Sequence, residues 1–146
     1  SLAGLCARLD IGFALAAPRG YEFDAETVTR LRAACPQARL RLTNDPAEAV
    51  RDAGVIYSDV WTSMGQEKEA AARRTIFQPY QVNAALVARA PKHVRIMHCL
   101  PAHRGEEITD EVLDSPASIV FDQAENRMHI NRALFALLVA EREACA

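Results

Sequence analysis

The chain has 146 residues, 50% of them apolar and 25% charged, with a formal net charge of -2 at pH 7. That is enough for one domain with a buried core. The near balance of charge gives no support to nucleic acid or a membrane surface as the main partner, and no apolar run reaches the roughly 18 residues a membrane span needs. Ser1 to Asp10 shows no basic leader followed by a long apolar stretch, so a cytoplasmic protein is expected.

The four cysteines are Cys6, Cys35, Cys99 and Cys145. They form no CxxC pair and no Cys/His ligand spacing, so no structural zinc site is expected. Free thiols in a reducing compartment fit a chain of this size. Cys6 and Cys35 read as packing residues and Cys145 lies in the terminal tail. Cys99 alone has neighbours that suggest chemistry.

In chain order, Ser1 to Leu9 is helical in pattern and has no strand before it. Ile11 to Ala17 reads as a strand closed by Pro18 and Gly20. Asp24 caps a helix to about Ala34, with Val28 and Leu31 facing inward. Arg39 to Thr43 is a short strand; Asn44 or Asp45 then opens a helix with Pro46 at its first position. Gly54 ends that helix, and Val55 to Ser58 is the third strand. A loop runs from Asp59 to Gly65, followed by helical sequence from Gln66 to Ala90, broken near Pro79. Val94 to His98 is a fourth strand, Ile108 to Leu113 a short helix, and Ser118 to Phe121 a fifth strand or extended approach. The last helix is expected to start at Asp122 as cap with Glu125 three residues on, and to pack Met128, Leu134, Leu137 and Leu138 into the core.

Strands alternating with helices predict parallel βαβ units in a doubly wound sheet, Rossmann-like with three αβα layers. The unpreceded first helix and the absence of an initial Met suggest a single domain, residues 1–146, cut from a longer chain and lacking its first strand.

Ligands of such sheets bind beyond the carboxyl ends of the strands, and three polar segments fall there. Asp59-Val-Trp-Thr-Ser-Met-Gly65 combines a carboxylate, hydroxyls and a glycine-ended turn, which together can grip an amino acid by its α-groups. The alternative is a plain turn with Asp59 as a cap and Trp61 packed on the surface. In His98-Cys-Leu-Pro101, Cys99 stands at a strand end, where a nearby cation such as Arg127 would lower its pKa; the alternative is a small buried apolar residue. His98 reads as a satisfied structural histidine, not a metal partner of His103. In Asp122-Gln-Ala-Glu-Asn-Arg127, the Arg127 fork can hold phosphate or carbonyl oxygens, or it can pair with Glu125 or Asp122 on a solvated face.

Together and in order, Pro18-Arg-Gly-Tyr-Glu22, Leu42-Thr-Asn-Asp-Pro46, Asp59-x-Trp-x-Ser-Met-Gly-Gln-Glu67, Phe77-Gln-x-Tyr-Gln-Val82, His98-Cys-Leu-Pro101 and Ala124-Glu-Asn-Arg127 span nearly the whole chain. They resemble the second, ornithine-binding domain of ornithine carbamoyltransferases. Aspartate carbamoyltransferases share the fold but carry Pro where Cys99 stands. The resemblance implies a transferase of arginine metabolism, converting carbamoyl phosphate and L-ornithine to citrulline and phosphate without metal or organic cofactor. It implies that Asp59 and Ser63 hold the ornithine α-ammonium and that the Met64 backbone meets its carboxylate. Cys99 is then placed near the δ-amine as proton acceptor, while the Cys99-Leu100 backbone and Arg127 contact the carbamoyl group. It also implies a cis Leu100-Pro101 bond, a partner N-terminal domain and a homotrimer.

The family's phosphate-binding Ser-Thr-Arg-Thr loop and His-Pro-x-Gln motif do not occur in this sequence, nor does the first strand with its ornithine-binding Asn. The chain by itself is therefore expected to be inactive. Competing readings are a carbamoyltransferase for putrescine or N-acetylornithine and a non-catalytic ligand-binding module of the same descent. A nicotinamide-binding domain is a third, disfavoured by the lack of a GxGxxG stretch.

Overall fold

The computed structural model describes residues 1–62, 65 and 67–143. The elements are α1 (Leu2–Arg8), β1 (Phe13–Ala16), α2 (Ala25–Ala34), β2 (Leu40–Thr43), α3 (Pro46–Val50) and β3 (Val55–Ser58). They continue with α4 (Ala70–Phe77), α5 (Ala84–Val87), β4 (Arg95–His98), α6 (Asp110–Leu113) and α7 (Val120–Glu143). One-turn 3-10 helices flank α4 at Glu67–Glu69 and Gln78–Tyr80.

The predicted α/β architecture is present. Among the described residues all strand pairing is parallel, as two pairs: β1 with β2, from Phe13↔Leu40 to Ala16↔Thr43, and β3 with β4, from Val55↔Arg95 to Ser58↔His98. Helices α1 and α2 pack together, with α1 on β1. Helix α3 packs on β1, β2 and α5, and α5 packs on α6. Local chemistry sets the helix starts. Asp24 Oδ1 accepts from Thr27 N–H at 2.6 Å, Asp45 Oδ1 from Ala47 N–H at 2.8 Å, and Asn83 Oδ1 from Leu86 N–H at 3.0 Å. Each satisfies an N–H that the first helical turn leaves unpaired.

The core gathers Val50, Ile56, Val82, Val94, Ile96, Ile108, Val112, Leu113 and Val120 around the β3–β4 pair. Ile96 and Ile108 have no exposed surface. Val82 reaches Ile108 through an isolated parallel bridge, with Val82 N–H donating to Glu107 O at 2.8 Å and Thr109 N–H to Val82 O at 3.1 Å. That crossing ties the segment after β4 to the core.

The chain's last third departs from expectation in three ways. Ser118 makes only an isolated bridge to Ile96, not a fifth strand. The final helix starts at Val120, so Asp122 lies in its first turn and does not cap it. Burying Val120, 1% exposed, against the core requires that earlier start, and a carboxylate in the first turn still suits the helix dipole. The expected core face is also out in the open: Met128, Leu134, Leu137 and Leu138 are 52%, 52%, 63% and 60% exposed. A helix of 24 residues is roughly 36 Å long, whereas a four-residue strand is about 13 Å, so α7 can rest on β4 only near its start.

Candidate active site

Parallel pairing in register brings the site together. Ser58 stands opposite His98, so the next residue on each strand, Asp59 and Cys99, leaves the sheet side by side. Cys99 Sγ donates to Asp59 Oδ1 at 2.9 Å, and the same oxygen accepts from Val60 N–H at 2.8 Å. Among the described residues, Asp59 Oδ2 has no hydrogen-bond partner. Among the described residues no helix begins at Asp59, so it does not act as a cap, and Trp61 is not a surface ring. Trp61 is 8% exposed, stacks on Phe77 at 6.2 Å, and its carbonyl accepts from Arg73 at 3.3 Å.

Burial, followed by the hydrogen bond to Asp59 and that residue's charge, pushes the Cys99 thiol up to about 11. This corrects the expected lowering by Arg127. The nearest charge is an anion, and it stabilises the S–H form. Tyr57, one strand residue before Ser58, is raised too, by burial and then by the neighbouring Cys99.

The cleft over Cys99 and Tyr57 measures about 1400 Å³, with Leu100, Gln123 and Arg127 also in its walls. Arg127 is exposed and makes no ion pair among the described residues. Glu125 faces His129 at 3.4 Å, which removes the predicted alternative of an Arg127–Glu125 pair. Leu100-Pro101 is cis, as the resemblance implied, and Leu100 has φ +51°. That left-handed backbone costs an L-residue about 1–2 kcal/mol. Ser63 and Met64, expected at the ornithine α-groups, lie outside the described residues, as does Cys145. Among the other cysteines, Cys35 is buried and Cys6 half-buried, both as free thiols.

Sequence reasoning passed over Glu107. It is fully buried, accepts from His98 Nε2 at 3.2 Å and from His103 N–H at 2.6 Å. In the string Arg-Gly-Glu-Glu nothing marks one glutamate as internal; only its place one residue before fully buried Ile108 hints at it. Gln123 was also passed over; its Oε1 accepts from His98 N–H at 3.0 Å, joining α7 to the end of β4. His103, Glu106 and Glu107 could offer three metal-ligand atoms within 4.8 Å of one another. Two of these groups are already engaged, Glu107 by His98 and Glu106 by Arg74 at 2.8 Å.

The family model described as the Asp/Orn binding domain of aspartate/ornithine carbamoyltransferase matches residues 1–138. The chain belongs to the aspartate/ornithine carbamoyltransferase family. Among curated members, a protein named ornithine carbamoyltransferase from Thermococcus kodakarensis is 52% identical over 134 residues, 90% of this chain and 42% of that protein. One from Pseudomonas aeruginosa, named as anabolic, is 54% identical over 132 residues, again 90% and 42%. The ornithine carbamoyltransferase structure from Pyrococcus furiosus superposes with a TM-score of 0.84 at 50% identity, covering 94% of this chain and 44% of that one. The anabolic enzyme from Campylobacter jejuni gives 0.87 at 28% identity, covering 97% and 47%. The chain thus spans less than half the length of these family members.

Proposed function

We propose that this chain is the amino-acid-binding half of an ornithine carbamoyltransferase, transferring the carbamoyl group of carbamoyl phosphate to the δ-amine of L-ornithine. The contact of Cys99 Sγ with Asp59 Oδ1 at 2.9 Å carries this reading, because it sets a proton-accepting pair at the adjoining ends of two parallel strands. Relatives of about 50% identity bearing that name support it.

The chemistry fits the groups. A δ-ammonium has no lone pair, so it must lose a proton before nitrogen attacks the carbamoyl carbon. Asp59 and Cys99 together carry one negative charge and can take one proton: Sγ accepts from the δ-ammonium while passing its own hydrogen to Oδ1. The N–C bond then forms as the bond from carbon to the phosphate oxygen breaks; phosphate leaves with the electron pair and carries off the second proton that the attacking nitrogen sheds. Asp59 Oδ2, with Ser63, takes the α-ammonium, and the Met64 backbone takes the carboxylate. A free α-ammonium favours ornithine over N-acetylornithine, and a carboxylate for the Met64 backbone favours it over putrescine. Arg127 and the Cys99-Leu100 backbone hold the carbamoyl group, and holding both substrates in line contributes more than proton transfer does.

Family membership supports the rest of the proposal. A carbamoyl-phosphate-binding half supplies the phosphate site, and the exposed side chains of α7 offer it an apolar surface. A cytoplasmic homotrimer acting in arginine metabolism completes the proposal, and residues 1–146 alone are inactive.

Citrulline formation by the natural gene product tests this, with ornithine, N-acetylornithine, putrescine and aspartate as acceptors and Cys99→Ala alongside. Turnover confined to ornithine and depressed in the variant is the expected result. Turnover of another amine reassigns the Asp59 loop, and no turnover sinks the reading.

A further inference from the structure

His98 closes β4 with its ring fully enclosed, and its backbone N–H and both ring nitrogens are engaged. Its backbone N–H donates to Gln123 Oε1 at 3.0 Å. Its Nδ1 receives the Leu100 N–H at 2.8 Å. A backbone N–H can only donate, so Nδ1 is bare and the ring proton sits on Nε2. That proton points at Glu107 Oε1, 3.2 Å away. Glu107 is itself fixed by the His103 N–H at 2.6 Å, and its Oε2 is buried with no hydrogen-bond partner among the described residues. The His103 ring lies beside that oxygen, with Nδ1 at 3.9 Å.

The consequence falls on the Cys99–Leu100 peptide. This bond is trans, since the Leu100-Pro101 bond is the cis one. In a planar trans peptide the N–H and C=O point in opposite directions. With the Leu100 N–H turned into the enclosed His98 ring, the Cys99 carbonyl is turned away from that ring; His98, Cys99 and Leu100 all border the cleft.

We infer that His98 and Glu107 are positioning residues. Glu107 fixes the His98 tautomer, the bare Nδ1 fixes the Leu100 N–H, and the peptide so held presents the Cys99 carbonyl to the amino group of the carbamoyl moiety. This rests on the carbamoyl-transfer reading for its ligand. The ring does not relay the reacting proton, because its Nε2 faces Glu107 and its Nδ1 faces a backbone amide; neither faces Sγ. A mispointed carbonyl leaves the proton chemistry in place and spoils only the alignment of the carbamoyl group, a loss of about a hundredfold for a displacement near 1 Å.

The test uses the natural gene product with His98→Asn, His98→Phe and Glu107→Gln. Asparagine keeps an acceptor close to the Nδ1 position, phenylalanine keeps only the shape, and glutamine removes the carboxylate. Two readouts are taken: kcat and KM for each substrate across pH, and hydrogen exchange at the Leu100 amide. The expected result is kcat within about tenfold of wild type for His98→Asn and down about a hundredfold for His98→Phe. Glu107→Gln falls between them. The KM for ornithine and the shape of the pH profile stay unchanged throughout, and Leu100 exchange is fast only in His98→Phe and Glu107→Gln. The inference is overturned if His98→Asn behaves like His98→Phe, or if its pH profile loses a limb. Unaltered exchange in every variant also overturns it. Should His98→Phe not fold, the comparison of His98→Asn with Glu107→Gln decides in the same way. An inactive wild-type protein, by contrast, sinks the carbamoyl-transfer reading, while Leu100 exchange still shows whether the ring holds the peptide.

Discussion

Cys99 Sγ lies 2.9 Å from Asp59 Oδ1 across 40 residues of sequence, because β3 and β4 run parallel with Ser58 opposite His98. The carboxylate accepts the thiol proton and, with burial, keeps Cys99 protonated up to about 11. Replacing Asp59 with Asn removes that anion and lowers the thiol toward its ordinary range. Alkylation of Cys99 at neutral pH, followed by peptide mass spectrometry to separate it from Cys6, should be slow in the wild type and faster in Asp59→Asn. An unchanged rate would mean that burial alone sets the thiol.

Arg127 offers its guanidinium to the cleft without an ion pair among the described residues. Arg127→Ala should therefore leave thermal stability within about 0.5 kcal/mol of wild type while kcat of the natural gene product drops roughly a hundredfold or more, as for removal of one charge-stabilising donor. A fall in stability without a fall in kcat would reassign Arg127 to structure.

The core predicts its own weak point. Ile96 has no exposed surface and sits between the β3 partner Ile56 and the Ser118 bridge. Ile96→Ala should cost about 2–5 kcal/mol, and Ile96→Val about 1 kcal/mol, read from urea unfolding. Equal costs for the two would show that the site collapses around a lost side chain.

Acid should destabilise the fold by a traceable route. The Arg104 guanidinium donates to Asp114 at 2.6 and 2.8 Å and to Asp110 at 2.7 Å, and it holds the Asp114 carboxyl below its ordinary 3.8. Asn44 does the same to Glu22, ordinarily 4.5. A carboxylate depressed in the folded state contributes stability that is fully present above its unfolded value and is lost as pH falls through the folded one. Stability should thus be level above about pH 5 and decline below it. Arg104→Gln should flatten part of that decline in urea midpoints measured against pH; an identical decline would exclude the Asp114 contribution.

Much of the fold was legible because its signals are local. Asp24, Asp45 with Pro46, and the break near Pro79 all act within one turn of themselves, and the structure places them as read. β3 matches its run, while β1, β2 and β4 came out one to three residues shorter than the runs that mark them, since pairing ends before hydrophobicity does. The start of α7 was misplaced for the opposite reason. Asp122 and Glu125 mimic a capping box, but the need to bury Val120 lies in contacts with β4, far away in sequence. The apolar residues later in α7 signal burial without saying against what.

The alternation of strands and helices and the polar segments that follow β3 and β4 can be read from the sequence, because propensity, caps and motif order are written in neighbouring residues, whereas Asp122 to Arg127 lies inside α7. The tertiary structure alone decided that Asp59 meets Cys99, which turned an expected thiolate into a held thiol. It also decided that Glu107 is internal and locks His98 onto the Leu100 amide. Both depend on strand register and on which face of a loop is covered, and only the packed chain sets distances between residues that far apart.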